Sequence, residues 1–222
     1  MISYDMSGYI IYHPKRQCTK VGSKIIYHDS FTGNQDPYVW NEKFLHTYCH
    51  ITQMKPEEGY INFWVSGDKF PEFNKLFCDL VFVVKEKKYW HDRNKLCRND
   101  RIIDSEDAYH DHYIWPTKGQ HEFDRRRRYT LKADPDLSFQ PQTKTGDLID
   151  IIPIITEFIP INILREKITR KGKDGKTSGS KPVFLSTLSA CSIYQYLCDC
   201  AEIQLRGREL KAIYQNIKQK KS

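Results

Sequence analysis

An acid followed by a Glu-x-Lys triplet, Asp79 with Glu86 and Lys88, supplies the residue types with which a magnesium-dependent phosphodiesterase holds metal and activates water. Seven residues is a tight separation for that purpose, because an odd spacing along one strand sends the two carboxylates to opposite faces. Four consecutive arginines, Arg125, Arg126, Arg127 and Arg128, form the densest positive charge, and Arg grips phosphate through forked, salt-sensitive hydrogen bonds. On an extended segment two of the four point to each face, so two can contact a phosphate backbone while the others pair with Glu122 or Asp124. A second basic cluster, Arg165, Lys167, Arg170, Lys171, Lys173 and Lys176, could close over nucleic acid or simply keep the surface solvated. His46, Cys49 and His50 share one face of a helix but lack a fourth ligand, so ordinary packing accounts for them better than metal does. His110, Asp111 and His112 stand without the further ligands a His-Asp-His nuclease needs. Gly175-Lys176-Thr177 lacks the leading glycine and the preceding buried strand of a phosphate-cradling loop, and no Gly-x-Ser-x-Gly elbow exists.

The elements that must position these residues read as mixed α and β. Gly8–His13 and Lys24–His28 are short β-rich runs that suggest a strand pair. Asp36-Pro37 can cap a helix in which Trp40, Phe44, Leu45, Tyr48, Ile51 and Thr52 recur at spacings of three and four. Tyr60–Val65 reads as a strand. The run Cys78–Val84 is continuously apolar and β-branched, which places it in the middle of a sheet. Tyr129–Leu131 and Leu148–Ile155 add further strands, the latter broken by Pro153. Residues 165–181, rich in Lys, Gly and Ser, read as a flexible loop. Ser186 can cap a long helical segment over 186–220, bent or broken near Gly207. The strands are not separated by regular helices, so the sheet is expected to be antiparallel or mixed, in one α+β domain spanning 1–222.

Composition sets the outer limits. Of 222 residues 39% are apolar and 13% aromatic, which argues against disorder because bulky groups are available for burial. No run approaches the length of a membrane span, and Met1–Asp5 lacks the order of a secretion signal, so a cytoplasmic protein without a membrane partner is expected. A net charge of +7 favours an anionic partner. Seven cysteines with no C-x-x-C pair suggest neither a disulfide framework nor a zinc ribbon, and most are expected to be small core residues.

Three stretches carry more: Gly59–Asp68 with Trp64-Val65-Ser66-Gly67, then Leu76–Trp90 ending in charge and Tyr89-Trp90, then Tyr109–Trp115 with its histidines. Over about residues 59–116 the chain resembles the PUA-like superfamily, in particular the EVE-type and nucleotide-modification-associated domains found beside DNA modification and restriction systems. The resemblance implies an open β-barrel with a mixed sheet over about residues 8–160, flanked by the N-terminal helix and the C-terminal helical segment. It also implies an aromatic-lined hollow for an unpaired base, where stacking contributes roughly 1 to 3 kcal/mol per base. Trp64, Trp90, Tyr113 and Trp115 are then the candidate stackers, Ser66 and Asp68 the candidate edge readers, and Arg125 to Arg128 the rim. Core packing is the competing account of each ring, and turn formation that of Asp68 beside Gly67. The expected function is recognition of a base, plausibly modified, in DNA rather than RNA, within a bacterial or phage modification or defence setting and without a cofactor. The alternative is a magnesium-dependent endonuclease of restriction-enzyme type using Asp79, Glu86 and Lys88.

Overall fold

The computed structural model describes residues 6–13, 16–28, 47–48, 54–89 and 129–207. At its centre β5 (Ile61–Gly67) and β6 (Leu76–Tyr89) pair antiparallel, and β1 (Gly8–Tyr12) lies parallel to β5 on the other side. The sheet continues to β12 (Val183–Leu185) beyond β1, and to β7 (Tyr129–Ala133) and β4 (Thr47–Tyr48) beyond β6. A seventh strand, β9 (Ile149–Asp150), pairs with the start of β6. The order β12-β1-β5-β6-β7-β4 makes this a mixed sheet, and among the described residues it does not close into a barrel. The fold is α+β. A Cβ on Gly8 would run into the carbonyl oxygen of Ile61, so the close parallel approach of β1 to β5 needs glycine there.

One face of the sheet is covered by helices. Ile10, Ile61, Phe63, Val65, Leu76, Cys78, Val81 and Val83 meet residues of α1 (Ile152–Ile155), α2 (Ile161–Ile168) and α3 (Thr187–Cys200) in one apolar core. The expected cap holds: the backbone N–H of Ser189 donates to Ser186 Oγ at the start of α3. On the opposite face Ile11, Trp64, Leu80, Phe82, Val84, Leu131 and Ala133 pack with Ile26, Met54 and Leu205. The two inner glutamines of β8 (Gln140–Gln142) hold the hairpin of β2 (Gln17–Val21) and β3 (Lys24–His28): Gln140 Nε2 donates to the carbonyl of Tyr27 at 2.6 Å, and Gln142 Nε2 to that of Ile25 at 2.8 Å.

The apolar run 78–84 lies mid-sheet, as its composition requires. Elsewhere tertiary pairing overrides local pattern. β1 and β3 are not partners: β1 is buried on both faces and so sits inside the sheet, while β3 turns back from β2 across Gly22-Ser23, with Gly22 at φ 61. Tyr48, placed in a helix by its spacing, forms with Thr47 a short strand against β7; the rest of that expected helix lies outside the described residues. Pro153 opens α1 instead of interrupting a strand, because a first helical turn has no use for its missing N–H. Residues 165–181 are not a loop: α2 runs through Ile168, followed by a hairpin of β10 (Thr169–Lys171) and β11 (Thr177–Ser180). The C-terminal helix ends at Cys200, not near Gly207, since β13 (Ile203–Leu205) leaves it to pair with β8. Of the described cysteines only Cys78 is fully buried, and Cys18 and Cys200 are exposed.

The polar face of the sheet as candidate functional site

A β-bulge concentrates charge on the face opposite the helices. Trp64 pairs with Leu80 and the next residue, Val65, with Cys78, so Asp79 has no register partner across the ladder. Such an extra residue bends the strand and re-aims its side chain. The Asp79 carboxylate, fully buried, accepts a hydrogen bond from His13 Nε2 at 3.1 Å and forms an ion pair through its other oxygen with Arg16 Nε. Burial pushes the carboxyl up, but the charges of His13 and Arg16 and the hydrogen bond from His13 outweigh it, so the group is held below its ordinary range. An ionised carboxylate only accepts, which makes Nε2 of His13 the protonated nitrogen.

Trp64 completes the cluster. Arg16 Cζ lies 5.6 Å from the centre of the indole, within cation–π reach, and the His13 ring lies 5.7 Å away at 48°. Trp64 is 6% exposed, so in this conformation the ring is a wall of the charge cluster and not a platform open to a base. Ser66, two residues on along the same face, is buried beside it.

Asn62 is the other polar side chain that β5 turns to this face. Its register partners are Tyr9 on β1 and Phe82 on β6, and Trp64 follows two positions along. Tyr9 and Tyr60, both half-buried, place their ring centroids 6.2 Å apart next to it. Asn62 is 0% exposed, yet among the described residues neither its amide oxygen nor its amide nitrogen has a hydrogen-bond partner. Leaving a buried polar group unpaired costs about 1–3 kcal/mol, and such groups call for an explanation.

Other sequence candidates fall elsewhere. Asp68 is exposed, and its Oδ1 accepts from the backbone N–H groups of Asn74 and Lys75 at 2.8 and 3.0 Å. Those bonds, that of Lys75 first, lower its carboxyl, and they close the turn before β6, the structural role weighed for it above. Asp79 and Glu86 do share β6, but seven residues span about 20 Å along a strand. Two ligands of one magnesium ion each stand about 2.1 Å from it, so the structure does not bring these carboxylates together. Glu86 faces Lys132 across the ladder instead, after a second register shift, and Lys88 lies two residues further along. Among the described residues no cluster of three or more His, Cys, Asp or Glu is placed to hold a metal. Trp90, Tyr113, Trp115, Arg125, Arg126, Arg127 and Arg128 lie outside the described residues, as do His46, Cys49 and His50 and the 110–112 triplet. Arg165, expected on a loop, belongs to α2, and its guanidinium donates to the Phe73 carbonyl and Asn74 Oδ1, so it fastens the 68–75 turn.

Sequence reasoning missed His13, Arg16 and Asn62. The signal for Asn62 was present: a lone amide inside the apolar run Ile61–Val65 must face inward on one side or the other. No family model matches this chain, and neither does any curated protein or solved structure. The site is therefore read from its own geometry. No helix among the described residues is long and apolar enough to cross a membrane.

Proposed function

We propose that the chain is a nucleic-acid-binding domain that recognises a modified base on the polar face of its sheet, with DNA preferred to RNA. The observation that carries this reading is the fully buried Asn62 amide, with donor and acceptor both unpaired among the described residues, set among Tyr9, Tyr60, Phe82 and Trp64. An amide flanked by aromatic rings is the pairing that reads a base edge: donor and acceptor match its hydrogen-bonding atoms while rings take its π face. Tyr9 and Tyr60 replace Trp64 as the stacking surfaces, because Trp64 already faces Arg16 and His13. The cover over this face includes Ile26 of the β2–β3 hairpin, Met54 and Leu205, so a base gains access only when part of that cover is displaced. The net charge of +7 favours a polyanion. The PUA-like resemblance of residues 59–116 agrees with a base-binding role and with a modification or defence setting. The magnesium-dependent alternative has no comparable support, since its carboxylates are far apart on one strand.

The test is a binding series with oligonucleotides that differ only in one base or its modification. Asn62→Leu keeps the shape of the side chain and removes its donor and acceptor; it should abolish discrimination among the oligonucleotides, by roughly 10-fold or more for a lost bidentate contact of 1–3 kcal/mol. Equal discrimination by the folded variant and the parent chain overturns the proposal.

A further inference from the structure

The β10–β11 hairpin contains no apolar side chain between Thr169 and Ser180. From 169 to 181 it holds five basic residues, Arg170, Lys171, Lys173, Lys176 and Lys181, against the single acid Asp174, and so contributes +4 of the chain's +7. Residues 173–178 and the outer positions of β10 are exposed. A two-stranded ribbon that buries only Thr169, at its root, is marginal alone, yet this one is well tied. Thr169 pairs with Ser180, Arg170 with Gly179 and Lys171 with Thr177. The Gly172 N–H donates to the Lys176 carbonyl at 2.7 Å, and the Lys176 N–H to Asp174 Oδ1 at 3.1 Å. Gly179, at φ 132, leaves room for the Arg170 guanidinium, which donates to the Ser178 carbonyl. Among the described residues no salt bridge occupies Lys171, Lys173 or Lys176.

The root of the hairpin lies at the polar site. Ser180 Oγ donates to the Tyr12 carbonyl at 2.9 Å, and the next residue is His13, which bonds Asp79. The ribbon thus leaves the sheet from the end of β1 that carries the charge cluster.

We propose that the β10–β11 hairpin grips the sugar-phosphate backbone of a DNA duplex, supplying sequence-independent affinity beside the base-reading face. This rests on the nucleic-acid reading above and adds a separate contact to it. A ribbon with no apolar residue has nothing to offer a protein interior, whereas the major groove, about 12 Å wide, admits a two-stranded β-ribbon. Lysines at its tip meet phosphates as point charges and release counterions, so the contact weakens as salt rises.

The full chain is titrated into a labelled duplex of unmodified mixed sequence at salt concentrations from about 50 to 200 mM. The triple variant Lys171→Gln, Lys173→Gln, Lys176→Gln should flatten the slope of log affinity against log salt by about 3, equally on every sequence. Its melting temperature should match the parent's, since the three positions are exposed; if it does not, Lys173→Gln alone should still flatten the slope by about 1. An unchanged slope in the folded variant overturns the proposal, and so does a parent chain that binds phosphatidylserine vesicles but no duplex. Asn62→Leu separates the two readings. If it leaves base discrimination intact while the lysine variant flattens the slope, the base site fails and the hairpin stands; the opposite pattern sinks the hairpin alone.

Discussion

The same strands build both faces of the central sheet, with opposite results. Toward the helices, Ile61, Phe63 and Val65 of β5 enter an unbroken apolar core. Toward the other side point the alternate residues Asn62, Trp64 and Ser66, all buried, and Trp64 meets His13 and Arg16, the partners of Asp79. A face meant only for stability has no use for an unpaired amide and a buried ion pair, since well-packed apolar groups serve as well or better. The helix-side face is an apolar core, whereas the opposite face sets a buried ion pair and, among the described residues, an unpaired amide amid its apolar residues.

The largest effects should come from breaking either face at its centre. Phe63→Ala should destabilise the fold by about 3–5 kcal/mol in denaturant unfolding, as loss of a buried ring does. Asp79→Ala should destabilise by a similar amount, about 3–5 kcal/mol, because the Arg16 guanidinium is left buried without its carboxylate. The faces then part company: adding Arg16→Met to Asp79→Leu should recover most of that loss, while no second change near Phe63 restores a missing ring. A double variant as unstable as Asp79→Ala alone would erase the distinction.

Next in size, Asn62→Leu should raise stability by about 1–3 kcal/mol, since it removes an unpaired buried amide. A drop in stability would mean that the amide is satisfied and the polar face is ordinary core.

Acid separates the faces further. The folded Asp79 carboxyl sits below its unfolded value of about 3.9. Its contribution is therefore complete above that pH and is lost as pH falls through the lower folded value. Stability of the parent chain should fall more steeply below about pH 4 than that of Asp79→Asn, with His13 and Arg16 the charged groups facing the site. Parallel curves would show that the cluster does not hold the carboxyl ionised.

Smallest of all, Lys173→Gln should change stability by no more than about 0.5 kcal/mol, as an exposed substitution does, while still altering salt-dependent binding.

The scaffold was easier to read from sequence than the site. Runs of β-branched residues located β5 and β6, and Ser186 marked the start of α3, because burial and capping leave local traces. Topology left fewer. The pairing of β1 with β5, and the strand Ile203–Leu205 where helical spacing continued, depend on partners remote in sequence. The hairpin at 169–180 was missed because strand alternation needs apolar residues and it has none. At the site, Asp79 was singled out for a partnership with Glu86 that strand geometry forbids, whereas its actual partners, His13 and Arg16, lie more than sixty residues upstream. Asp79 reaches them through a bulge, an offset of one residue that no periodicity reveals.

The long strand β6 hydrogen-bonds to β5 and β9 over its first half and to β7 over its second, with Val81 also bridged to Phe139. Losing any one of these neighbours leaves β6 paired along part of its length. Its inner amides should be the last to exchange with deuterated solvent, and their exchange should report global unfolding while the separate hairpins β2–β3 and β10–β11 open and close many times.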